Sequence, residues 1–139
     1  MNLVYITSFI VMPKDTQSSG RILFGGKILS EMDLCAAHTA RRLLYDAPQE
    51  LGLLTVAVKD INMMAPAFPA DLVFLRGQIV KLGTTSIEIQ VVAWKEDYDG
   101  SMNNIAIGTF VLVSTIPWES DEEGNGLTPR AHGLKLIDE

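Results

Sequence analysis

The sequence predicts an α+β domain in which an antiparallel sheet wraps one long, buried helix. From Gly25 to about Asp46, apolar and small residues recur at spacings of three and four, which is the period of a helix that packs on one side. From Leu53 onward, apolar and β-branched segments alternate with short turns. Strands joined by short turns pair antiparallel, so the segments after the helix are predicted to form one sheet.

One strand and one loop are predicted before the helix. Leu3–Met12 is apolar, and at about half the length of a membrane-spanning helix we interpret it as a strand. The strand ends at Pro13, because proline has no N–H to give to a sheet ladder. Residues 13–20 (PKDTQSSG) are polar and rich in turn formers, which predicts a loop.

The helix is predicted to carry a wide apolar surface over two neighbouring faces. One face holds Leu29, Asp33, Ala36, Ala37 and Ala40, and the other holds Ile28, Met32, Cys35, Thr39 and Leu43. The small residues among them allow the helix backbone to approach a sheet closely. Arg41 and Arg42 complement the helix dipole in the last turns, and Pro48 marks the end.

Four strands are predicted after the helix, at Leu53–Met64, Leu72–Lys81, Ile87–Ala93 and Ile105–Ile116. Strict alternation of apolar and polar residues around Ile89 is typical of a strand that is buried on one face. Asp97–Asn104 is predicted to be a hairpin loop. A strand, a helix and four more strands around that helix form the hotdog arrangement, although other α+β folds share the pattern. No repeat or linker is visible, so residues 1–139 are predicted to form one domain with an irregular acidic tail over about 119–139.

Composition excludes several classes of protein. With 47% hydrophobic and 20% charged residues, the chain is not a disordered one. Its single cysteine, Cys35, excludes an intramolecular disulfide and a cysteine-rich zinc module, and neither a metal nor a cofactor is predicted. The net charge of −6 disfavours binding to nucleic acid or to an anionic membrane. No signal peptide or membrane span is visible, so we expect a cytoplasmic protein.

Several short motifs occur in a fixed order along the chain. They are residues 12–20 (MPKDTQSSG), 24–26 (FGG), 29–33 (LSEMD), 81–86 (KLGTTS) and 129–134 (PRAHGL). Together they resemble the hotdog acyl-CoA thioesterases of the acyl-CoA hydrolase family. The resemblance implies hydrolysis of acyl-CoA to a free acid and CoA. It also implies a homodimer with one continuous sheet and active sites at the dimer interface, often assembled as a trimer of dimers, a hexamer.

The resemblance assigns Asp33 as general base or nucleophile. A carboxylate on an apolar helix face is costly unless it is paired or functional, although a structural aspartate at an interface remains an alternative. Gly25 and Gly26 open the helix, where free N–H groups form an anion site, and they are candidate oxyanion donors or simply a turn. Because Asp33 lies about 12 Å along the helix from Gly25, one thioester cannot contact both from the same helix. We therefore expect the two groups to come from opposing subunits and the monomer to be inactive.

Other site residues follow from the same resemblance. Gln17 replaces the asparagine of the family pattern, and one extra residue precedes Phe24, so the catalytic loop differs in detail. Thr85 is predicted to orient the attacking water, and Phe24, Thr84 and Ser86 are predicted to contact the substrate. For the hydroxyl residues, ordinary β-propensity is the alternative explanation.

The phosphates of CoA need cations. Ala65 stands where the family usually has an arginine, so we assign phosphate binding to Lys59, Arg76, Lys81 and Arg130, each of which is otherwise an ordinary surface charge. Met63, Met64 and Phe68 line either the acyl channel or the core.

Two other functions are kept open. One is a hotdog protein that binds acyl-CoA without hydrolysing it. The other is a hotdog hydratase or dehydratase, which is disfavoured because His38 lies five residues after Asp33 and shares its helix face poorly.

Overall fold

The computed structural model describes residues 3–17, 21–117 and 128–135. Five strands and one long helix make up the domain. They are β1 (Val4–Ile10), α1 (Gly25–Leu44), β2 (Gly52–Met63), β3 (Leu72–Leu82), β4 (Ser86–Glu96) and β5 (Met102–Thr115). Each predicted element is present, with its ends displaced by a few residues. Most of the predicted acidic tail lies outside the described residues. Within the described ranges, no helix is both long and apolar enough to cross a bilayer.

The five strands form one antiparallel sheet in the order β1-β3-β4-β5-β2. The helix packs across one face of this sheet, mainly over β3 and β4. Alternate residues of the central strands face the helix and are buried, among them Leu75, Ile89 and Phe110. The predicted sheet wrapped around one helix is therefore confirmed, and β1 and β2 are its two edges.

Small residues bring the helix close to the sheet. Cys35, Ala36 and Ala40 are completely buried. Beneath them, a Cβ atom on Gly77 of β3 would collide with the Thr39 hydroxyl and contact the Cys35 sulfur. Thr39 donates its hydroxyl to the Cys35 carbonyl at 2.8 Å, so its polar group is satisfied within the helix.

The predicted position of Asp33 in the buried face is wrong. The buried stripe contains Ile28, Met32, Cys35, Ala36, Thr39, Ala40 and Leu44, whereas Asp33 is half-buried at its margin. Successive helix residues are about 100° apart. Once Met32 points at the centre of the sheet, Asp33 must therefore point sideways, towards β2.

Two of the predicted hydroxyl residues lie in the turn before β4, and the loop after β4 differs from the prediction. The N–H of Gly83 donates to the Ser86 carbonyl at 3.0 Å and closes a turn, so Thr84 and Thr85 precede β4. The hairpin loop after β4 is shorter than Asp97–Asn104, because β5 already begins at Met102.

Residues 128–135, which we call the C-terminal segment, contain no helix or strand but pack along the end of β5. The Arg130 N–H donates to the Ser114 carbonyl at 2.9 Å, and the Ser114 hydroxyl donates to the Arg130 carbonyl at 2.6 Å. His132 is buried, with 1% of its surface exposed. This part of the predicted tail is thus attached to the domain.

Candidate active site

A groove of about 370 Å³ lies where the loop before α1 meets the end of β2. Gln17 and Gly25 contribute to one side of it, and Met63, Met64 and Ala65 to the other. The remaining lining residues are apolar: Ile22, Leu23, Ile28, Pro66, Ala67 and Ile105. None of these lining residues is charged.

Backbone hydrogen bonds fix the loop that carries Gln17. Its N–H donates to the Ile22 carbonyl at 2.9 Å, and the Phe24 N–H donates to the Asp15 carbonyl at 2.8 Å. These two bonds hold the loop beside the start of α1. Gln17 therefore lies near the N-terminus of the helix.

The buried carboxylate of Asp15 stabilises this loop. Asp15 is 8% exposed and accepts the Met12 N–H at 3.0 Å. The Lys27 ammonium lies 3.7 Å from Asp15 and 2.9 Å from Glu31. The hydrogen bond to Glu31 raises the pKa of Lys27, with a smaller contribution from Asp15. Asp15 was not predicted to have this role, although an acidic residue in a turn that begins with proline is typical of such a support.

Among the described residues, two N–H groups at the N-terminus of α1 have no hydrogen-bond partner. The first N–H groups of the helix with a described partner belong to Lys27 and Ile28, which donate to the Phe24 carbonyl at 3.0 and 3.3 Å. The N–H groups of Gly25 and Gly26 precede them and have no carbonyl one turn back. A Cβ on Gly25 would meet nothing within 4 Å, whereas a Cβ on Gly26 would collide with the Phe24 ring. The approach to Gly25 is thus open, and it faces the groove.

Asp33 is held by a residue of β2 that was not predicted from the sequence. The Thr55 hydroxyl of β2 donates to Asp33 Oδ1 at 2.8 Å. Among the described residues, Asp33 Oδ2 has no hydrogen-bond partner. Asp33 does not line the groove within one protomer, in agreement with the separation of about 12 Å between it and Gly25 along the helix. A lone threonine among the apolar residues of β2 was the available signal.

The predicted hydroxyl residues are packed against the C-terminal segment. The Thr84 carbonyl accepts the backbone N–H of His132 at 3.2 Å, and the Ser86 carbonyl lies 3.2 Å from His132 Nε2. The Thr85 carbonyl accepts the Ser114 N–H at 2.8 Å. These residues are therefore held rigidly.

The same hydroxyl residues are not beside Asp33 within one protomer. Ile87, the second residue of β4, and Thr55 both pair with Leu112, one from each side. Two strand spacings separate them, or about 10 Å. The predicted contact between Thr85 and a water on Asp33 is thus absent within a single subunit.

The predicted phosphate-binding cations do not converge on the groove. Lys59 and Lys81 both lie near Glu88 on the outer face of the sheet. The Lys59 ammonium is 2.6 Å and the Lys81 ammonium 3.9 Å from the Glu88 carboxylate. The hydrogen bond with Lys59 lowers the pKa of Glu88 and raises that of Lys59. Arg76 is exposed on the same face, and Arg130 lies in the C-terminal segment. One protomer therefore distributes these four cations over surfaces away from Gly25.

Three further predictions concern residues near the site. Met63 and Met64 line the groove, whereas Phe68 does not, and all three are about half exposed, so none of them is a core residue of the single protomer. Instead, the Lys95 ammonium lies 5.0 Å from the centre of the Phe68 ring. His38 packs edge-on against Tyr5, with ring centres 5.7 Å apart. Across residues 3–17, 21–117 and 128–135, no three His, Cys, Asp or Glu side chains group as metal ligands.

Comparison with known proteins decides the family. The model of the thioesterase superfamily matches residues 20–100. The chain belongs to the thioesterase superfamily. A Haemophilus influenzae protein named as an uncharacterised acyl-CoA thioester hydrolase is 33% identical over 132 residues, covering 86% of this chain and 82% of that protein. An acyl-CoA thioester hydrolase of Salmonella typhimurium is 34% identical over 85 residues, which cover 61% of this chain and 59% of its own length.

Solved structures of thioesterases share the fold. A hexameric, broad-specificity acyl-coenzyme A thioesterase is 28% identical with a TM-score of 0.74, covering 93% of this chain and 80% of its own. A hexameric hotdog-fold thioesterase of Campylobacter jejuni is 27% identical with a TM-score of 0.72, covering 91% and 88%. The hotdog fold and the family predicted from the motifs are confirmed.

Proposed function

We propose that the chain hydrolyses acyl-CoA thioesters to a carboxylic acid and free CoA. The observation that carries the proposal is the helix N-terminus at Gly25, whose free N–H faces an apolar groove beside Gln17. Such a groove suits an acyl chain, and the N–H suits its carbonyl oxygen. The names of the relatives support the same reaction.

The helix N-terminus stabilises the charge that develops in the reaction. When the thioester carbon is attacked, its oxygen becomes an oxyanion. The N–H groups of Gly25 and Gly26 and the positive end of the helix dipole favour that anion over the neutral carbonyl. The CoA thiolate then leaves as the tetrahedral intermediate collapses.

Asp33 supplies the attack in one of two ways. As a general base it takes a proton from water, which adds to the thioester carbon. As a nucleophile it forms an anhydride that water then hydrolyses. Both routes give the same products, and both need the free Oδ2 that the bond from Thr55 to Oδ1 leaves available.

The active site is proposed to form between two subunits. The edge strand β2 is open and apolar, with Val56, Val58 and Met63 about half exposed. An edge of this kind invites pairing with another strand. Pairing of two β2 strands about a two-fold axis is antiparallel, so the Thr55 end of one strand lies near the Met63 end of the other. This arrangement carries the partner's Asp33 towards the groove.

Further assembly and the CoA contacts stay predictions. We propose a trimer of such dimers, since the solved relatives are named hexameric. Phe24 lies beside Gly25 and Gly26 at the start of α1, so its assignment to the substrate needs no second subunit. The other assignments require residues that act from a neighbouring subunit: Thr85 on the attacking water, Thr84 and Ser86 on the substrate, and the cations on the CoA phosphates. The cations in question are Lys59, Arg76, Lys81 and Arg130.

Thiol release from a panel of acyl-CoAs tests the reaction. The wild type should release thiol, and Asp33→Asn should lower kcat by at least about 100-fold while the fold is kept. Asp46→Asn, which changes an exposed carboxylate just beyond α1, is the matched control and should behave as wild type. Full activity of Asp33→Asn would refute the assignment of Asp33. Acyl-CoA binding without turnover in the wild type would instead indicate a binding protein.

A further inference from the structure

We infer that the groove at the start of α1 selects uncharged acyl groups and rejects acyl groups that end in a carboxylate. This inference rests on the proposed function and names the substrate class of the same site. It follows from the chemistry of the groove lining and of the charged groups around it.

The described part of the lining offers no cation that would pair with a second carboxylate. Gln17 is the only one of the described lining residues with a polar side chain, and its amide is uncharged. The far wall consists of Met63, Met64 and Ala65. Methionine side chains are flexible and adapt to apolar groups of different shapes. The groove therefore suits a hydrocarbon chain.

The nearest cations along the chain are not available to the groove. The Lys27 ammonium already contacts Glu31 at 2.9 Å and Asp15 at 3.7 Å. Arg21 precedes the lining residue Ile22, but its own side chain is exposed and is not part of the lining. An acyl carboxylate in the groove would thus lose its water without gaining a cation, which is strongly unfavourable.

The proposed dimer strengthens this discrimination. If pairing of the β2 strands brings the partner's Asp33 to the groove, the reacting acyl group lies beside a negative charge. A second carboxylate on that acyl group is then repelled as well as desolvated. A terminal methyl group has neither cost, and it gains from leaving water.

Butyryl-CoA and succinyl-CoA provide the direct comparison, because their acyl groups have the same four-carbon length. We expect kcat/KM for succinyl-CoA to be at least about tenfold lower. The methyl ester of succinyl-CoA separates charge from bulk, and it should be hydrolysed better than succinyl-CoA itself. Affinities of Asp33→Asn for both compounds, measured by calorimetry, test the same selectivity without turnover.

A cation introduced into the groove should reverse the preference. Ala65→Arg should raise the ratio of succinyl-CoA to butyryl-CoA kcat/KM by about tenfold or more. Ala65→Met adds bulk without charge, and Tyr45→Arg adds the same charge at the opposite end of the 20-residue helix. Neither control should change the ratio. Met64→Lys, at a half-exposed lining position, is the second variant if Ala65→Arg does not fold.

The outcomes distinguish failure of the proposed selectivity from failure of the proposed hydrolase activity. Equal kcat/KM for butyryl-CoA and succinyl-CoA would overturn the selectivity and leave the hydrolase intact. Equal affinities in Asp33→Asn, which lacks the repelling charge, would overturn the selectivity of the groove lining. Unchanged ratios in both Ala65→Arg and Met64→Lys would show that the groove does not hold the acyl group. Absence of hydrolysis with retained selective binding would refute the hydrolase and keep the selectivity.

Discussion

Replacement of His132 by alanine should destabilise the domain, because this buried side chain bonds on both sides. Its Nε2 lies 3.2 Å from the Ser86 carbonyl, and its Nδ1 accepts the Leu134 N–H at 3.0 Å. Since Nδ1 is an acceptor, the proton is on Nε2, which donates to Ser86. One imidazole thus connects the C-terminal segment to the start of β4.

The cost follows from the two hydrogen bonds that are lost. A buried donor without a partner costs about 1–3 kcal/mol, and His132→Ala leaves the Leu134 N–H in that state. Loss of the bond to the Ser86 carbonyl, which keeps the bond from the Gly83 N–H, adds about 1 kcal/mol. Water entering the vacated site recovers part of this, so we expect a loss of about 3 kcal/mol. For a domain of this size, that corresponds to a Tm lower by about 10 °C.

Two amide variants show which bond matters. His132→Gln places its amide nitrogen near the position of Nε2 and keeps the donation to the Ser86 carbonyl. His132→Asn places its amide oxygen near the position of Nδ1 and keeps an acceptor for the Leu134 N–H. Each should recover part of the loss in urea unfolding at matched subunit concentration, and His132→Asn should recover the larger part, because it keeps an acceptor for the Leu134 N–H. Unfolding of His132→Ala within about 0.5 kcal/mol of wild type would refute the reasoning.

Three other predictions use the same structure. Ala70 has a φ of 74°, so Ala70→Gly should raise the free energy of unfolding by about 0.5–1 kcal/mol in urea, and a decrease would contradict the strain. The Lys59 contact holds the pKa of Glu88 below its ordinary 4.5, so its stabilisation is present above that pH and lost as pH falls through the lowered pKa. The stability difference between wild type and Glu88→Gln should therefore shrink below pH 4.5, and a constant difference would disprove this. Thr55→Val removes the bond to Asp33 and should lower kcat about tenfold, whereas Thr55→Ser should not; equal losses would exclude a positioning role.

The sequence was sufficient for the fold because its periodicities match the elements. The helix begins at Gly25 as predicted, since its spacing of three and four has no competing pattern. The motif resemblance identified the family, and the structure places Gln17 and Gly25 on one groove. Local periodicity and short motifs were therefore sufficient to predict the fold, the family and the residues at the N-terminus of α1.

The remainder of the site depends on contacts that local pattern does not contain. Register shifts between Thr55 and Ala57 and between Lys59 and Asn62 break the alternation of β2, and Asp60 has a φ of 56° there. The faces to which Lys59 and Met63 belong were thus not predictable from a period of two. The bond between His132 and Ser86 joins residues 46 positions apart. The direction in which the Asp33 side chain points depends on the rotation of α1 about its axis relative to the sheet.

Mixing two inactive variants tests the shared active site. Gly25→Pro removes one oxyanion N–H at the first position of α1, where proline fits a helix. Phe24 before it has φ −69° and ψ 132°, which a following proline requires. Asp33→Asn removes the carboxylate. Each variant alone should have kcat lowered by about 100-fold or more.

The decisive measurement is thiol release after the two variants are unfolded, mixed equally and refolded together. If Asp33 acts on the groove of the opposite subunit, half of the dimers are mixed and each has one intact site, so activity should return to about a quarter of wild type. If both groups act within one subunit, every site carries one of the two changes and activity stays at the level of the separate variants. That second result, with mixed dimers demonstrated by mass spectrometry, would contradict an active site shared between subunits.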